Sequence, residues 1–358
     1  RQAQCPGLSS PKQHDYRLMT GGAGLRAGVP IGSRWRSPAL SAILWRVERP
    51  NTINPARGYP IALLSAAVLS LTAIFIRYLT VNHHMPAMIL AFWRDLLAFI
   101  VLFSVLLVVR PVLLRSSRAN VPFLLVYGLE LSVLNAAWTY SVALNGAAVA
   151  TVLIYSSTAF TVLLGWWFLG ERLNGVRIAA VALGLAGCVL VSDALEAAVR
   201  QANMSGILTG VFSGFCYGIY TLLGRAASRR GLNPWTTVLH TFGYATTMLL
   251  VYNLLPAGWI PGTASRFIDF LWLGTSTDGW LVIFLLAAGP TVLGYGLYTV
   301  SLVHLPSGVA NLIATLEPVF TAVIAWLWFH EQLNPAQILG SILILSGVVV
   351  LRLFDRLS

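Results

Sequence analysis

Unbroken runs of apolar residues, each about 20 residues long, dominate the chain from residue 60 onward. At about 1.5 Å per residue, a helical run of this length crosses the ~30 Å hydrocarbon core of a bilayer. Strands of a membrane barrel would instead alternate polar and apolar positions over about ten residues. The pattern therefore predicts an all-α membrane protein with ten transmembrane helices. We expect these spans at residues 60–81, 86–109, 121–144, 147–169, 175–194, 205–225, 234–256, 279–302, 307–329 and 335–353.

The composition agrees with a membrane protein. Of the 358 residues, 57% are hydrophobic and only 10% are charged, whereas about a quarter of the residues in a soluble domain are charged. The three cysteines form no CxxC pair and no metal-ligand spacing, and no P-loop or GxGxxG motif occurs in a usable context, so we expect neither a metal nor a cofactor.

The first 58 residues differ from the rest of the chain. They are rich in Gly, Pro, Ser and Arg and show no apolar periodicity, which predicts a disordered basic N-terminal segment. Their Arg-rich, acid-poor composition also leaves a transit peptide open. A basic segment ahead of membrane spans is typical of a cytoplasmic terminus and does not require nucleic acid as a partner.

The arginines between the spans predict the topology. Apart from the N-terminal segment, ten arginines fall on the side of that segment and two on the other side. Because positive charge concentrates in cytoplasmic loops, both termini are expected in the cytoplasm. We expect a multi-pass protein of the bacterial plasma membrane.

The chain also contains an internal sequence repeat. Residues 146–191 match residues 306–351 with 13 identities in 46 positions, and both stretches carry a Glu-x-Leu-Asn sequence at the corresponding place. An earlier match pairs Arg77 with Arg225. We predict two five-helix repeats, residues 59–200 and 201–358. Because five spans per copy is an odd number, the second copy enters the membrane from the opposite side, which gives an inverted repeat of the kind common in secondary transporters.

The repeated stretches resemble a known family. Ala148-Val149-Ala150-Thr151 through Gly165-Trp166 to Gly170-Glu171-Arg172-Leu173 is similar to the EamA-type module of the drug/metabolite transporter superfamily. So is the second copy, from Gly308-Val309-Ala310 through Leu316-Glu317-Pro318 to Glu331-Gln332-Leu333. The position of Arg94 also matches that family. The resemblance covers about residues 59–353 and implies a carrier for a small metabolite. The first copy has Ser157-Thr158 where the second has Glu317-Pro318, so a role for this pair would not be symmetric.

Ionisable residues within the spans are candidates for function, because each costs about 2.5–3.5 kcal/mol to insert. Arg94 is expected either to anchor a substrate anion or to form an interhelical ion pair with Glu130 or Glu317. Arg94 and its neighbour Asp95 point about 100° apart on a helix, so we predict that they do not pair with each other. Glu317 lies beside the helix-breaking Pro318, which makes it a candidate proton-coupling and substrate-binding residue.

Polar and aromatic side chains on the spans predict a central site. On span 3, Glu130 and Trp138 belong to one stripe that is expected to face a cavity, although Glu130 is near enough to the start of the span to be interfacial. Tyr155, Tyr217, Tyr295 and Tyr298 could line the same cavity. The predicted substrate-binding residues are Arg94, Glu130, Trp138, Tyr155, Tyr217, Tyr295, Tyr298 and Glu317.

The prediction for function is a secondary active transporter, expected to export amino acids or related polar or amphipathic compounds and to be coupled to protons. Its partners would be a small-molecule substrate and the lipid bilayer, with a homodimer as an open possibility. Two alternatives remain. A membrane-embedded enzyme acting on lipid-type substrates would need a cluster of acids with His or metal ligands, which the sequence does not contain. A non-transporting partner subunit would show no flux by itself.

Overall fold

Helical residues occur in each of the ten predicted apolar segments. The computed structural model describes residues 55–157, 159–161, 163–164, 175–191, 197–256, 259–264, 266–305, 310, 313–314, 316–330 and 332–354. Residues 1–54 of the predicted disordered segment lie outside the described residues. Glu171 and Glu331 of the repeated Glu-x-Leu-Asn sequence also lie outside them. Within the described residues, the first helix runs from Pro55 to Asn82.

The described residues form the following α-helices: α1 (Pro55–Asn82), α2 (Ala87–Val109), α3 (Val121–Asn145), α4 (Ala147–Ile154), α5 (Gly175–Val191), α6 (Ala197–Arg229), α7 (Pro234–Asn253), α8 (Thr277–Leu286), α9 (Tyr295–His304), α10 (Glu317–Phe329) and α11 (Pro335–Phe354). A π-helical segment, Ala287–Gly294, joins α8 to α9 without a break. Short 3-10 helices lie at Pro111–Leu114, Arg118–Asn120 and Phe267–Leu271.

Several of these helices can cross a membrane. Within the described part of the chain, five are long and apolar enough: Ala56–Asn82, Ala87–Val109, Arg118–Asn145, Met204–Arg229 and Thr277–His304. Shorter apolar helices begin at Ala147, Glu317 and Pro335. The chain is therefore all-helical with several membrane-spanning candidates, and the number of ten spans stays a prediction.

Helices of the two sequence repeats pack in corresponding pairs. The first helix of the first copy, α1, packs against α9 and α10 of the second copy. The first helix of the second copy, α6, packs against α3 and α4 of the first copy. Equivalent helices also meet each other, since α2 contacts α7, α4 contacts α10 and α5 contacts α11. The core of the protein is thus formed by both copies together.

The arginines that correspond in the two copies make corresponding hydrogen bonds. Arg77 of α1 donates from Nη1 to the carbonyl oxygen of Ala143 near the end of α3, at 3.4 Å. Arg225 of α6 donates from Nη1 to the carbonyl oxygen of Leu302 near the end of α9, at 2.8 Å. Each arginine thereby supplies a donor to the last turn of a helix, where carbonyl groups lack intrahelical partners.

Helix interruptions also recur at corresponding positions. The chain leaves α4 in a turn at Tyr155 and Ser156. The counterpart of Ser156 in the repeat is Leu316, which lies in the turn before α10. Pro318 sits in the first turn of α10, where a proline ring fits and no hydrogen bond is lost. These turns position Tyr155 and Glu317 at helix ends in the interior of the protein.

Close helix contact at Gly128 gives a testable prediction. A Cβ atom there would overlap the Cβ of Tyr244 and lie 2.9 Å from the carbonyl oxygen of Thr241, because α3 and α7 approach each other at this glycine. We expect Gly128→Ala to lower stability by about 1–3 kcal/mol through overpacking, measured as a lower melting temperature in detergent. Gly184→Ala is the control, since its new Cβ would make an ordinary 3.5 Å contact with Ala159. Equal melting temperatures for both variants would contradict the close approach.

Candidate functional site

A small cavity, with about 20 Å³ of room for the centres of water molecules, lies where helices of the two copies meet. Six of the eight predicted substrate-binding residues line it: Trp138, Tyr155, Tyr217, Tyr295, Tyr298 and Glu317. Leu69, Thr72 and Ile154 complete the lining.

Helices from both copies supply the cavity wall. The first copy contributes Leu69 and Thr72 of α1, Trp138 of α3, and Ile154 and Tyr155 at the end of α4. The second copy contributes Tyr217 of α6, Tyr295 and Tyr298 of α9, and Glu317 of α10. Because both copies supply the wall, a movement of one copy relative to the other would change the shape of the cavity.

The acidic group of the cavity is Glu317. Its side chain is 7% exposed, and its Oε2 accepts a hydrogen bond from the hydroxyl of Tyr155 at 2.7 Å. Glu317 is the first residue of α10, so its carboxylate lies at the positive end of that helix, where negative charge is favoured. The bond joins the two interrupted helices, one from each copy.

Tyrosine rings form a continuous aromatic wall. The ring of Tyr217 stands edge-on to Tyr155, with centroids 6.1 Å apart, and lies 5.9 Å from Tyr298. Tyr295 meets the ring of Tyr220 edge-on at 5.6 Å. The hydroxyl of Tyr298 lies 3.0 Å from Thr221 Oγ1. Such contacts hold the rings in fixed orientations, so their faces form a preformed surface.

Two polar groups of the cavity wall have no hydrogen-bond partner within the described residues. They are the hydroxyl of Thr72 and the indole Nε1–H of Trp138, and both side chains are buried. Because an unsatisfied buried donor costs free energy, these groups can gain from a ligand that offers an acceptor.

Arg94 is placed next to the cavity rather than in its wall. Its Nε donates to Oδ1 of Asp95 at 3.0 Å, and both side chains are fully buried. The prediction that these neighbours do not pair is therefore wrong. The Arg94 side chain has several rotatable bonds, so its guanidinium can fold back to a carboxylate that begins on a different helix face. The Nη1 and Nη2 atoms have no partner among the described residues.

The Arg94–Asp95 pair is connected to the cavity through α3. Asn135 donates from Nδ2 to Oδ2 of Asp95 at 2.7 Å, and its Oδ1 accepts from the hydroxyl of Tyr295 at 3.4 Å. The chain of contacts Arg94, Asp95, Asn135 and Tyr295 fixes one aromatic ring of the wall against α2 and α3.

Glu130 also lies outside the cavity wall. Both of its carboxyl oxygens are enclosed by protein and have no hydrogen-bond partner in the described part of the chain. Neither Glu130 nor Arg94 lines the cavity. The substrate roles of all eight predicted residues stay predictions.

Sequence reasoning missed four residues at this site. Thr72 and Asn135 are polar residues within apolar spans, and that contrast is a signal that could have identified them. Leu69 and Ile154 carry no such signal, since they resemble the lipid-facing residues around them. Their place in the wall depends on how the helices pack.

The buried pair gives a second prediction. Asp95→Ala would leave the Arg94 guanidinium buried without its carboxylate, so we expect a loss of about 3–5 kcal/mol in stability. The double variant Arg94→Leu with Asp95→Leu should recover part of this loss, because no lone charge remains. Melting temperatures in detergent measure both effects. Asp278→Ala is the control, since Asp278 is 62% exposed where it meets His83, and it should melt close to the unsubstituted protein. A double variant less stable than Asp95→Ala would contradict this view.

Comparison with known proteins agrees with the family resemblance. The model of the EamA-like transporter family matches the chain twice, over residues 56–193 and 204–353. A protein of Escherichia coli (strain K12) named "Probable amino-acid metabolite efflux pump" is 27% identical over 300 residues, which are 81% of this chain and 93% of that protein. A Salmonella typhimurium (strain LT2) protein with the same name is 25% identical over 295 residues, with the same coverage.

A solved crystal structure shows the same fold. It covers 85% of this chain and 99% of its own length, with a TM-score of 0.59 and 17% sequence identity. The matched family and relatives are transporters and not enzymes, and several apolar helices agree with an integral membrane protein of many passes. This chain therefore belongs to the EamA-like transporter family.

Proposed function

We propose that the protein is a secondary active exporter of amino acids or related polar or amphipathic metabolites, and that it is coupled to protons through Glu317. The observation that carries the proposal is the Glu317–Tyr155 hydrogen bond inside a cavity built by both copies. The names of the Escherichia coli and Salmonella typhimurium relatives support the substrate class and the direction.

The arrangement of the helices supports an inverted repeat of ten spans. The first span of each copy has the third and fourth spans of the other copy as neighbours, as a two-fold axis through the cavity would require. In such carriers the two halves rock about a central site and expose it to each side in turn. The interrupted helices at Tyr155 and Glu317 provide places where the cavity wall can bend.

Glu317 suits a coupling role because one carboxyl group can take up either a proton or a substrate cation. Tyr155 holds one of its oxygens, and no second partner is found among the described residues. We further propose that both termini lie in the cytoplasm of a bacterium, as the arginine distribution indicates.

Flux through the reconstituted protein tests this proposal. Proteoliposomes containing this chain alone should transport radiolabelled amino acids or their derivatives when a pH gradient is imposed. Glu317→Gln should reduce the gradient-driven flux at least about ten-fold, because the amide cannot exchange a proton. Tyr155→Phe keeps the carboxyl group and should retain the dependence on the gradient at a reduced rate.

The control is Asp278→Asn, an exposed carboxyl group at the start of α8 that should leave flux unchanged. Unaltered proton dependence in Glu317→Gln would overturn the coupling role. No flux from the chain alone would favour the alternative of a partner subunit.

A further inference from the structure

The charges around the cavity indicate which kind of substrate it accepts. Glu317 is the acidic side chain of the wall, and none of the described lining residues is basic. Arg94, which lies outside the wall, already pairs with Asp95. A ligand with one positive charge would therefore balance the Glu317 carboxylate, whereas an added carboxylate would introduce a buried charge without a counter-ion.

The aromatic wall points to the same ligand chemistry. Tyr155, Tyr217, Tyr295, Tyr298 and Trp138 surround the space next to Glu317. The face of an aromatic ring attracts a cation within about 6 Å of its centroid, and the attraction grows when water is excluded. Tyrosine and tryptophan faces also provide contact area for an apolar body. An ammonium group attached to an apolar or aromatic body meets both requirements.

The two wall groups without a hydrogen-bond partner indicate a further feature of the ligand. The Trp138 indole N–H can only donate, and the Thr72 hydroxyl can donate or accept. A neutral oxygen on the ligand, such as a hydroxyl or a carbonyl, would satisfy these groups without adding charge. A carboxylate could also accept from them, but two neutral donors do not neutralise it.

We propose that the cavity recognises primary organic ammonium compounds with an apolar body and a neutral oxygen acceptor, and that it disfavours ligands with a free carboxylate. This inference rests on the proposed function, since it takes the cavity as the substrate site, and it narrows the proposed substrates from amino acids to the related amphipathic ammonium compounds that carry no free carboxylate. Glu317 holds the ammonium group, the tyrosine faces surround it, and Trp138 and Thr72 bind the neutral oxygen.

A matched series of ligands tests the inference by calorimetric titration of the purified, detergent-solubilised protein. 2-Phenylethylamine carries the ammonium group alone, phenylalaninol adds a neutral hydroxyl, phenylalanine adds a carboxylate, and 3-phenylpropionate has the carboxylate alone. We expect phenylalaninol to bind best, followed by 2-phenylethylamine. Phenylalanine should bind at least about ten-fold more weakly than phenylalaninol, and 3-phenylpropionate should not bind.

Variants identify the groups that recognise the ligand. Glu317→Gln should weaken phenylalaninol binding by about ten-fold or more, as expected for the loss of a charged hydrogen bond. Tyr217→Leu should weaken it several-fold, whereas Tyr217→Phe keeps a ring face and should not. Asp278→Asn should bind like the unsubstituted protein. An unchanged melting temperature in the absence of ligand shows that each variant is folded, and Glu317→Gln still tests the inference if Tyr217→Leu does not fold.

Two results would overturn the inference: phenylalanine binding as tightly as phenylalaninol, or binding of none of the four compounds. The first would instead support the anion role predicted for Arg94. Failure of the proposed function has a different signature. Binding of phenylalaninol without gradient-driven flux of phenylalaninol itself would contradict proton-coupled transport and leave the recognition of ammonium compounds intact.

Discussion

The hydrogen bond between Tyr155 and Glu317 joins the two sequence repeats within the chain. Each partner stands at the end of an interrupted helix, and the interruptions occupy corresponding positions in the two copies. A carboxylate within a membrane protein needs a donor, a cation or a proton, because lipid provides none of them. Tyr155 supplies one donor, and the remaining capacity of Glu317 is available to the cavity. The bond therefore places the chemistry of the site on the boundary between the copies.

The same constraint explains the polar contacts around the cavity. Arg94 and Asp95 satisfy much of each other's charge, and Asn135 links them to Tyr295 of the wall. Arg77 and Arg225 donate to carbonyl groups at helix ends. These contacts tie α1, α2, α3, α6 and α9 together at a few fixed points. Between these points the helices meet through apolar side chains, whose contacts allow small displacements at less cost than a broken buried bond.

Much of this architecture could be predicted from the sequence, because the length of an apolar run and the match between repeats are local properties. The family resemblance, the all-helical class and the aromatic residues near Glu317 followed from such patterns. The pairing of Arg94 with Asp95 did not, since it depends on side-chain torsions rather than on helix position. The place of Arg94 and Glu130 behind the wall, and of Leu69 and Ile154 within it, depends on helix rotation. Apolar spans offer few local signals for that rotation.

Access to the cavity from each side of the membrane is the most direct measurement of a shared, alternately open site. Thr72→Cys in a variant with Cys5, Cys188 and Cys216 replaced by alanine places one thiol in the wall. A membrane-impermeant thiol reagent should label it in both right-side-out and inverted vesicles. Ala67→Cys on the exposed, opposite face of α1 is the lipid-facing control and should stay unlabelled. Labelling of Thr72→Cys from one side alone, or from neither, would contradict alternating access through this cavity.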